Sequence, residues 1–184
     1  HKTLETDADG RRSGTVYDAA GQISCVWKGW NSSSAPTNCT WDPAAYAVQG
    51  NNGPLRYAAY SYTPNGERAS ELDSNDNVTD YVYDGLDRLA FSLFAHPTSG
   101  NRCTVATPVT SSTNPSCPEG TQQTFEKSTY DAAGNRLTLR SRRANTITWT
   151  YDSLNRERTK ATTGSPTQSL VTFGYNLMDE ATSV

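Results

Sequence analysis

Thr79 to Leu89 reads TDYVYDGLDRL, and this stretch decides the fold. Thr79, Tyr81 and Tyr83 alternate with Asp80 and Val82, the period-2 pattern of a strand. Asp84 then opens a four-residue turn, a position that suits Asp because its carboxylate can accept backbone N–H bonds from residues further on. Asp87 closes the turn, and Asp is among the few residues besides Gly and Asn that tolerate left-handed geometry. Arg88 and Leu89 lead into a returning strand.

The same wording occurs six times. Tyr17-Asp18-Ala19-Ala20-Gly21 and Tyr130-Asp131-Ala132-Ala133-Gly134 are near-identical copies. Tyr62-Thr63-Pro64-Asn65-Gly66 presets its second turn position with proline. Tyr151-Asp152-Ser153-Leu154-Asn155 and Tyr175-Asn176-Leu177-Met178-Asp179 put Asn or Asp where the others have Gly. The fourth residue after each tyrosine is therefore always one that accepts positive φ. Asp7-Ala8-Asp9-Gly10, with Thr6 in the tyrosine slot, is a degenerate seventh copy.

These repeated YDxxG and YxYDxxxR stretches resemble the YD-repeat (Rhs) family, which includes bacterial Rhs proteins, the shell components of insecticidal toxin complexes and the animal teneurins. The resemblance runs through nearly the whole chain. It implies β-hairpins wound into one strip that closes as a hollow shell, with aromatic faces packed rung on rung. The family's self-cleaving core segment and toxin tail have no counterpart in this sequence.

Composition agrees with an all-β chain. It is 34% hydrophobic and 19% charged, and ten Tyr, four Trp and four Phe supply area to bury. Ser, Thr, Asn, Gly and Asp favour strands and turns, and no window has a sustained helical period. A net charge of −3 argues against a nucleic-acid partner. The basic run Arg136 to Arg143 reads as a strand with a solvated side rather than a phosphate site. No apolar run is long enough to span a bilayer. The opening HKTLETDADG reads as half a repeat and MDEATSV follows a turn, which predicts one repeat segment, 1–184, from a longer protein.

The tyrosine steps are 62−17 = 45, 83−62 = 21, 130−83 = 47, 151−130 = 21 and 175−151 = 24. A step near 21 fits one hairpin unit, so each long step holds an eroded hairpin or an insertion. Both long steps carry cysteines with equal separations, 39−25 = 14 and 117−103 = 14. Of three possible pairings, this spacing favours Cys25–Cys39 and Cys103–Cys117, two bridges that pin projecting Ser/Thr/Asn/Pro-rich loops. A zinc site would call for CxxC pairs or histidine partners, and the only histidines are His1 and His96. Disulfides predict an oxidising setting: extracellular, cell-surface or periplasmic.

Tyr60, Tyr81, Trp149 and Phe173, each two before a marker tyrosine, are expected to stack on one face. Trp27, Trp30 and Trp41 lie outside the repeat and are either a recognition surface or a small core around the first disulfide. For chemistry, His1 and His96 have no evident nucleophile or acid partner, and the aspartates are expected to be occupied in turns. Asp73-Ser74-Asn75-Asp76-Asn77 begins like a calcium loop but has Val78 where glycine is required, and reads better as a turn. No catalytic residue, cofactor site or metal site is assigned.

The sequence thus predicts consecutive antiparallel β-hairpins forming a curved, twisted strip with two disulfide-pinned loops. Its expected role is structural, as the wall of a toxin-enclosing shell or a subunit of an extracellular fibre. Its partners would be flanking repeats, identical copies or an enclosed toxin. The competing reading is an adhesin whose cysteine loops and Trp27, Trp30 and Trp41 contact a surface glycan or protein.

Overall fold

The computed structural model describes residues 2–30, 36–40, 55–96, 98–118, 124–164, 169–176, 178 and 180–183. Among them the regular structure is all β-strand, in two compact units, His1–Thr79 and Asp80–Val184.

In the first unit, β1 (Lys2–Thr6), β2 (Arg12–Tyr17), β3 (Ile23–Trp30), β4 (Leu55–Tyr62) and β5 (Arg68–Asp73) pair antiparallel in chain order. β6 (Val78–Tyr83) begins there, and its residues from Asp80 onward belong to the second unit. In that unit β7 (Leu89–Phe94), β8 (Phe125–Tyr130), β9 (Arg136–Arg140), β10 (Thr146–Tyr151), β11 (Glu157–Thr163) and β12 (Ser169–Thr172) again pair each with the next. β13 (Gly174–Tyr175) and β14 (Ala181–Ser183) close a last hairpin. Each unit is thus built from consecutive antiparallel hairpins.

One turn geometry joins most of these strands. At Asp7, Asp18, Thr63, Asp73, Asp84, Asp131, Ser141 and Asp152 the N–H donates to the carbonyl four residues on, at 2.8–3.0 Å. The same residue's carbonyl accepts the N–H three residues on, at 3.0–3.2 Å. The residue three after each of these opening positions has positive φ: Gly10, Gly21, Gly66, Asp76, Asp87, Gly134, Ala144 and Asn155. The register slips by one residue beside Tyr17, Tyr62, Tyr130 and Tyr151, so the turn ends in a β-bulge there. DSNDN is such a turn, opened by Asp73. Asp179 lies outside the described residues.

The basic run departs from its predicted form. The strand ends at Arg140, and Ser141 to Ala144 turn, with Ala144 at φ 63°. An L-alanine there is strained, whereas Gly134 at φ 92° is not, and a Cβ on Gly134 would meet nothing within 4 Å. Ala144→Gly is therefore expected to stabilise by about 0.5–1 kcal/mol, and Gly134→Val to destabilise by about 1–2 kcal/mol. Urea midpoints moving in opposite directions check the pair.

Among the described residues, the strands between Tyr17 and Tyr62 are β3 and β4 and those between Tyr83 and Tyr130 are β7 and β8, one pair in each long step. Both predicted disulfides form, Cys25–Cys39 and Cys103–Cys117.

The inserted segments do not simply project. Cys25, Trp27 and Trp30 are buried together, with Val16, Cys39 and Ala59 packed against them. In the second unit Ala90, Phe91, Leu93, Cys103 and Phe125 are buried, with Val82, Val105, Val109 and Cys117 around them. In each unit a cysteine of the disulfide-bridged loop packs with the buried cluster. A single sheet of polar hairpins has no opposing layer, so burial concentrates where the chain folds back.

Candidate functional site

The repeated chemistry lies along the seam between successive tyrosine-led turns. Where the bulge interrupts the ladder, a backbone carbonyl needs another donor. The next repeat supplies it: the hydroxyl of Tyr62 donates to Ile23 O at 2.8 Å, and that of Tyr130 to Leu89 O at 2.9 Å. Tyr151 donates to Arg136 O at 2.9 Å and Tyr175 to Glu157 O at 2.8 Å. Each acceptor is the sixth residue after the previous marker tyrosine, including the step in which the first insertion intervenes. Tyr17 ends β2 and Tyr83 ends β6, at the same place in their hairpins.

The hydroxyl ladder escaped the sequence reading, which assigned these tyrosines to packing alone. Its signal was present, since Phe never replaces Tyr at a marker although the chain has four Phe. Tyr130→Phe should lower stability by about 1 kcal/mol, the usual value of such a bond, read as a reduced urea midpoint at unchanged slope.

At several turns the residue just after the closing position makes a second link. Gln22 Nε2 donates to Gly66 O at 3.0 Å, and Asn135 Nδ2 to Asn155 Oδ1 at 2.9 Å. Arg88 donates to Asp131 O at 2.8 Å and lies 4.8 Å from the centre of the Tyr130 ring. Arg156 covers the Tyr175 ring at 4.5 Å. The final Arg of YDxxxR therefore grips its own aspartate and the next tyrosine together.

The aspartates are occupied as the sequence implied. Oδ1 of Asp18, Asp84 and Asp152 each accepts the N–H groups two and four residues on. Oδ2 of Asp84 and Asp152 pairs with Arg88 and Arg156 at 2.7 Å. Both oxygens of Asp131 accept bonds from Asn135, and both of Asp73 are held within its turn.

Burial alone would raise the Asp84 carboxyl, but bonds from Arg88 and the N–H of Leu86 hold it below the ordinary range. The Asp152 carboxyl is lowered first by the Arg156 side chain, and that of Asp131 first by Asn135. At Asp73, burial raises and the bonds from Asn77 and Asn75 outweigh it. Carboxylates depressed on folding stabilise fully above their unfolded value, about 3.9, and lose that contribution as pH falls through the folded values. The melting temperature should be level from pH 7 to about 4 and then drop. Asn176 builds the same turn with an amide, its Oδ1 accepting from Met178 and Glu180 at 2.9 and 3.0 Å. Asp152→Asn should therefore fold and shrink the acid drop, as melts at pH 3 and pH 7 would record.

Two of the aromatics that precede a marker tyrosine by two, Tyr60 and Trp149, have cations over their rings. Arg68 lies over Tyr60 at 4.3 Å, and Arg136 and Lys160 flank Trp149 at 5.9 and 5.7 Å. Trp27 and Trp30 belong to the first buried cluster, where the indole N–H of Trp27 donates to Asn38 O at 3.1 Å. Trp41 lies outside the described residues. A cleft of about 290 Å³ in the second unit is lined by Asp84, Arg88, Val109, Ser128 and Tyr130, among others. Its Asp84–Arg88 pair is committed to the turn.

No protein-family model and no curated protein matches the sequence. Solved structures do. The crystal structure of TcdB2-TccC3 matches with a TM-score of 0.60 at 13% identity, over 98% of this chain and 9% of that one. The chain shares the fold of a segment of TcdB2-TccC3. TcdB2-TccC3-Cdc42 gives 0.59 at 12% identity over 98% and 9%, and TcdB2-TccC3-TEV gives 0.58 at 18% over 94% and 8%. The chain therefore spans under a tenth of the chains it matches. Among the described residues no helix is long and apolar enough to cross a membrane.

Proposed function

We propose that this chain is wall material of a YD-repeat shell that encloses a toxin, working in an oxidising setting outside the cell or in the periplasm. The carrying observation is the seam. The same hydroxyl-to-carbonyl bond recurs at four tyrosine steps, which lets a hairpin array extend without a central core. The likeness to TcdB2-TccC3 over 98% of the chain supports the reading, as does the commitment of the turn carboxylates to backbone N–H groups. The wall is non-catalytic, and its partners are neighbouring repeats and the enclosed cargo.

An adhesin would need its tryptophans at the surface, and Trp27 and Trp30 are 3% and 0% exposed. Electron microscopy of the native full-length protein tests the proposal. A hollow particle with this segment in its wall is expected; a fibre or a solid monomer overturns it.

A further inference from the structure

We propose that the two disulfides are one-sided thiol-exchange latches, attacked at Cys39 and Cys117, whose opening uncovers the two sheet cores. Each bridge joins a buried cysteine to a partly exposed one. Cys25 and Cys103 are 0% and 3% exposed, whereas Cys39 and Cys117 are partly exposed. Exchange requires a thiolate to approach one sulfur in line with the bond, so access selects the outer atom.

A low-molecular-weight thiol is the co-reactant. Its thiolate sulfur bonds to the outer Sγ and the S–S bond breaks. The electron pair leaves on Cys25 or Cys103, which takes up a proton. A second thiol then attacks the mixed disulfide and releases the outer cysteine, so two electrons enter the protein and the reductant leaves as its own disulfide. The buried leaving sulfur is poorly placed to hold a thiolate, which slows the first step. In the second unit the Thr124 hydroxyl contacts Cys117 Sγ at 3.9 Å. That contact would favour Cys117 as the leaving atom, but such an exchange needs attack on the shielded Cys103, so access decides.

What opens is set by the remaining anchors. In the first unit the bridge ties the 36–40 segment to β3, supported by Trp27 to Asn38 O and by Arg56 Nη1 to Cys39 O at 3.2 Å. In the second, residues 104–116 are also held by the paired Thr104 and Ser116 bonds and by the bond from Lys127 Nζ to Thr113 O at 2.6 Å. Val105 and Val109 lie on the buried cluster from inside the bridged loop, so opening the bridge loosens the cover over that cluster.

The test treats the intact native protein with glutathione at pH 8, quenches with acid and maps adducts by mass spectrometry, with hydrogen exchange in parallel. Glutathione on Cys39 and Cys117 should exceed that on Cys25 and Cys103 by about tenfold or more. Amides of 104–116 should lose protection as adducts accumulate. A Cys103→Ala/Cys117→Ala variant should show that loss without any thiol. Adducts mainly on the buried cysteines, no reaction under native conditions, or reduction with unchanged loop protection would each overturn the proposal.

Discussion

Phe91→Ala is expected to destabilise the second unit by about 3–5 kcal/mol, the usual range for deleting a fully buried phenylalanine. Phe91 is 0% exposed and faces Phe125 with ring centres 6.3 Å apart at 56°. Lys127 Nζ lies 5.7 Å from its ring on the way to Thr113 O. The site cannot collapse easily, because β7 and β8 are held at Phe91 and Lys127 by the ladder and the covering loop is closed by its own disulfide. Leu154→Ala is the control. Leu154 is 65% exposed at a turn tip, so its loss should change stability by under about 0.5 kcal/mol. Circular-dichroism melts separate the two, with a fall of roughly 6–20 °C for Phe91→Ala at a few degrees per kcal/mol. A Phe91→Ala melt matching that of Leu154→Ala would mean that the covered face contributes little and that the seam alone holds the unit.

Phe91 also marks the limit of what the sequence discloses. The turns were legible because two demands act on the same few residues: an oxygen to accept N–H bonds at the opening position and tolerance of positive φ three residues later. Asp18 with Gly21 and Asp152 with Asn155 meet both, so their places could be read directly. Ser141 to Ala144 meets only the first. Alanine at φ 63° breaks the second rule, and a strand was expected to run through it.

The seam was half legible. A repeating tyrosine states that a phenol is wanted, but its acceptor is a backbone carbonyl, which has no letter in the sequence. The covered faces were the least legible part. Val105 and Val109 stand among Ser, Thr, Asn and Pro with no strand or helix period, so local pattern gives no sign that they pack against the cluster that holds Phe91 and Phe125. Long-range return of a loop is decided by what the sheet leaves uncovered, and that depends on strands far off in sequence. For Trp27 and Trp30 one of the two sequence readings, a small core around the first disulfide, matches their burial with Cys25 and the packing of Cys39 against them.

Removing the bridges then separates two contributions that the sequence makes equal. Both span 14 residues, so loop closure predicts the same loss for Cys25→Ala/Cys39→Ala and Cys103→Ala/Cys117→Ala, about 3 kcal/mol each. Packing does not treat them alike. Cys25 is one of three buried residues in its cluster and ties the loop straight to β3, beside Trp30 at 0% exposure. Cys103 is one of five, and its loop has further anchors in the Thr104–Ser116 pairing and the Lys127 bond. The first variant should therefore lose about 1 kcal/mol or more beyond the second, the scale of a small core cavity. Urea unfolding followed by tryptophan fluorescence reads the first unit through Trp27 and Trp30, and hydrogen exchange reads the second through β7 and β8. Equal losses would assign the bridges to chain entropy alone. A larger loss in the second unit would mean that its remaining anchors hold only while the disulfide is closed.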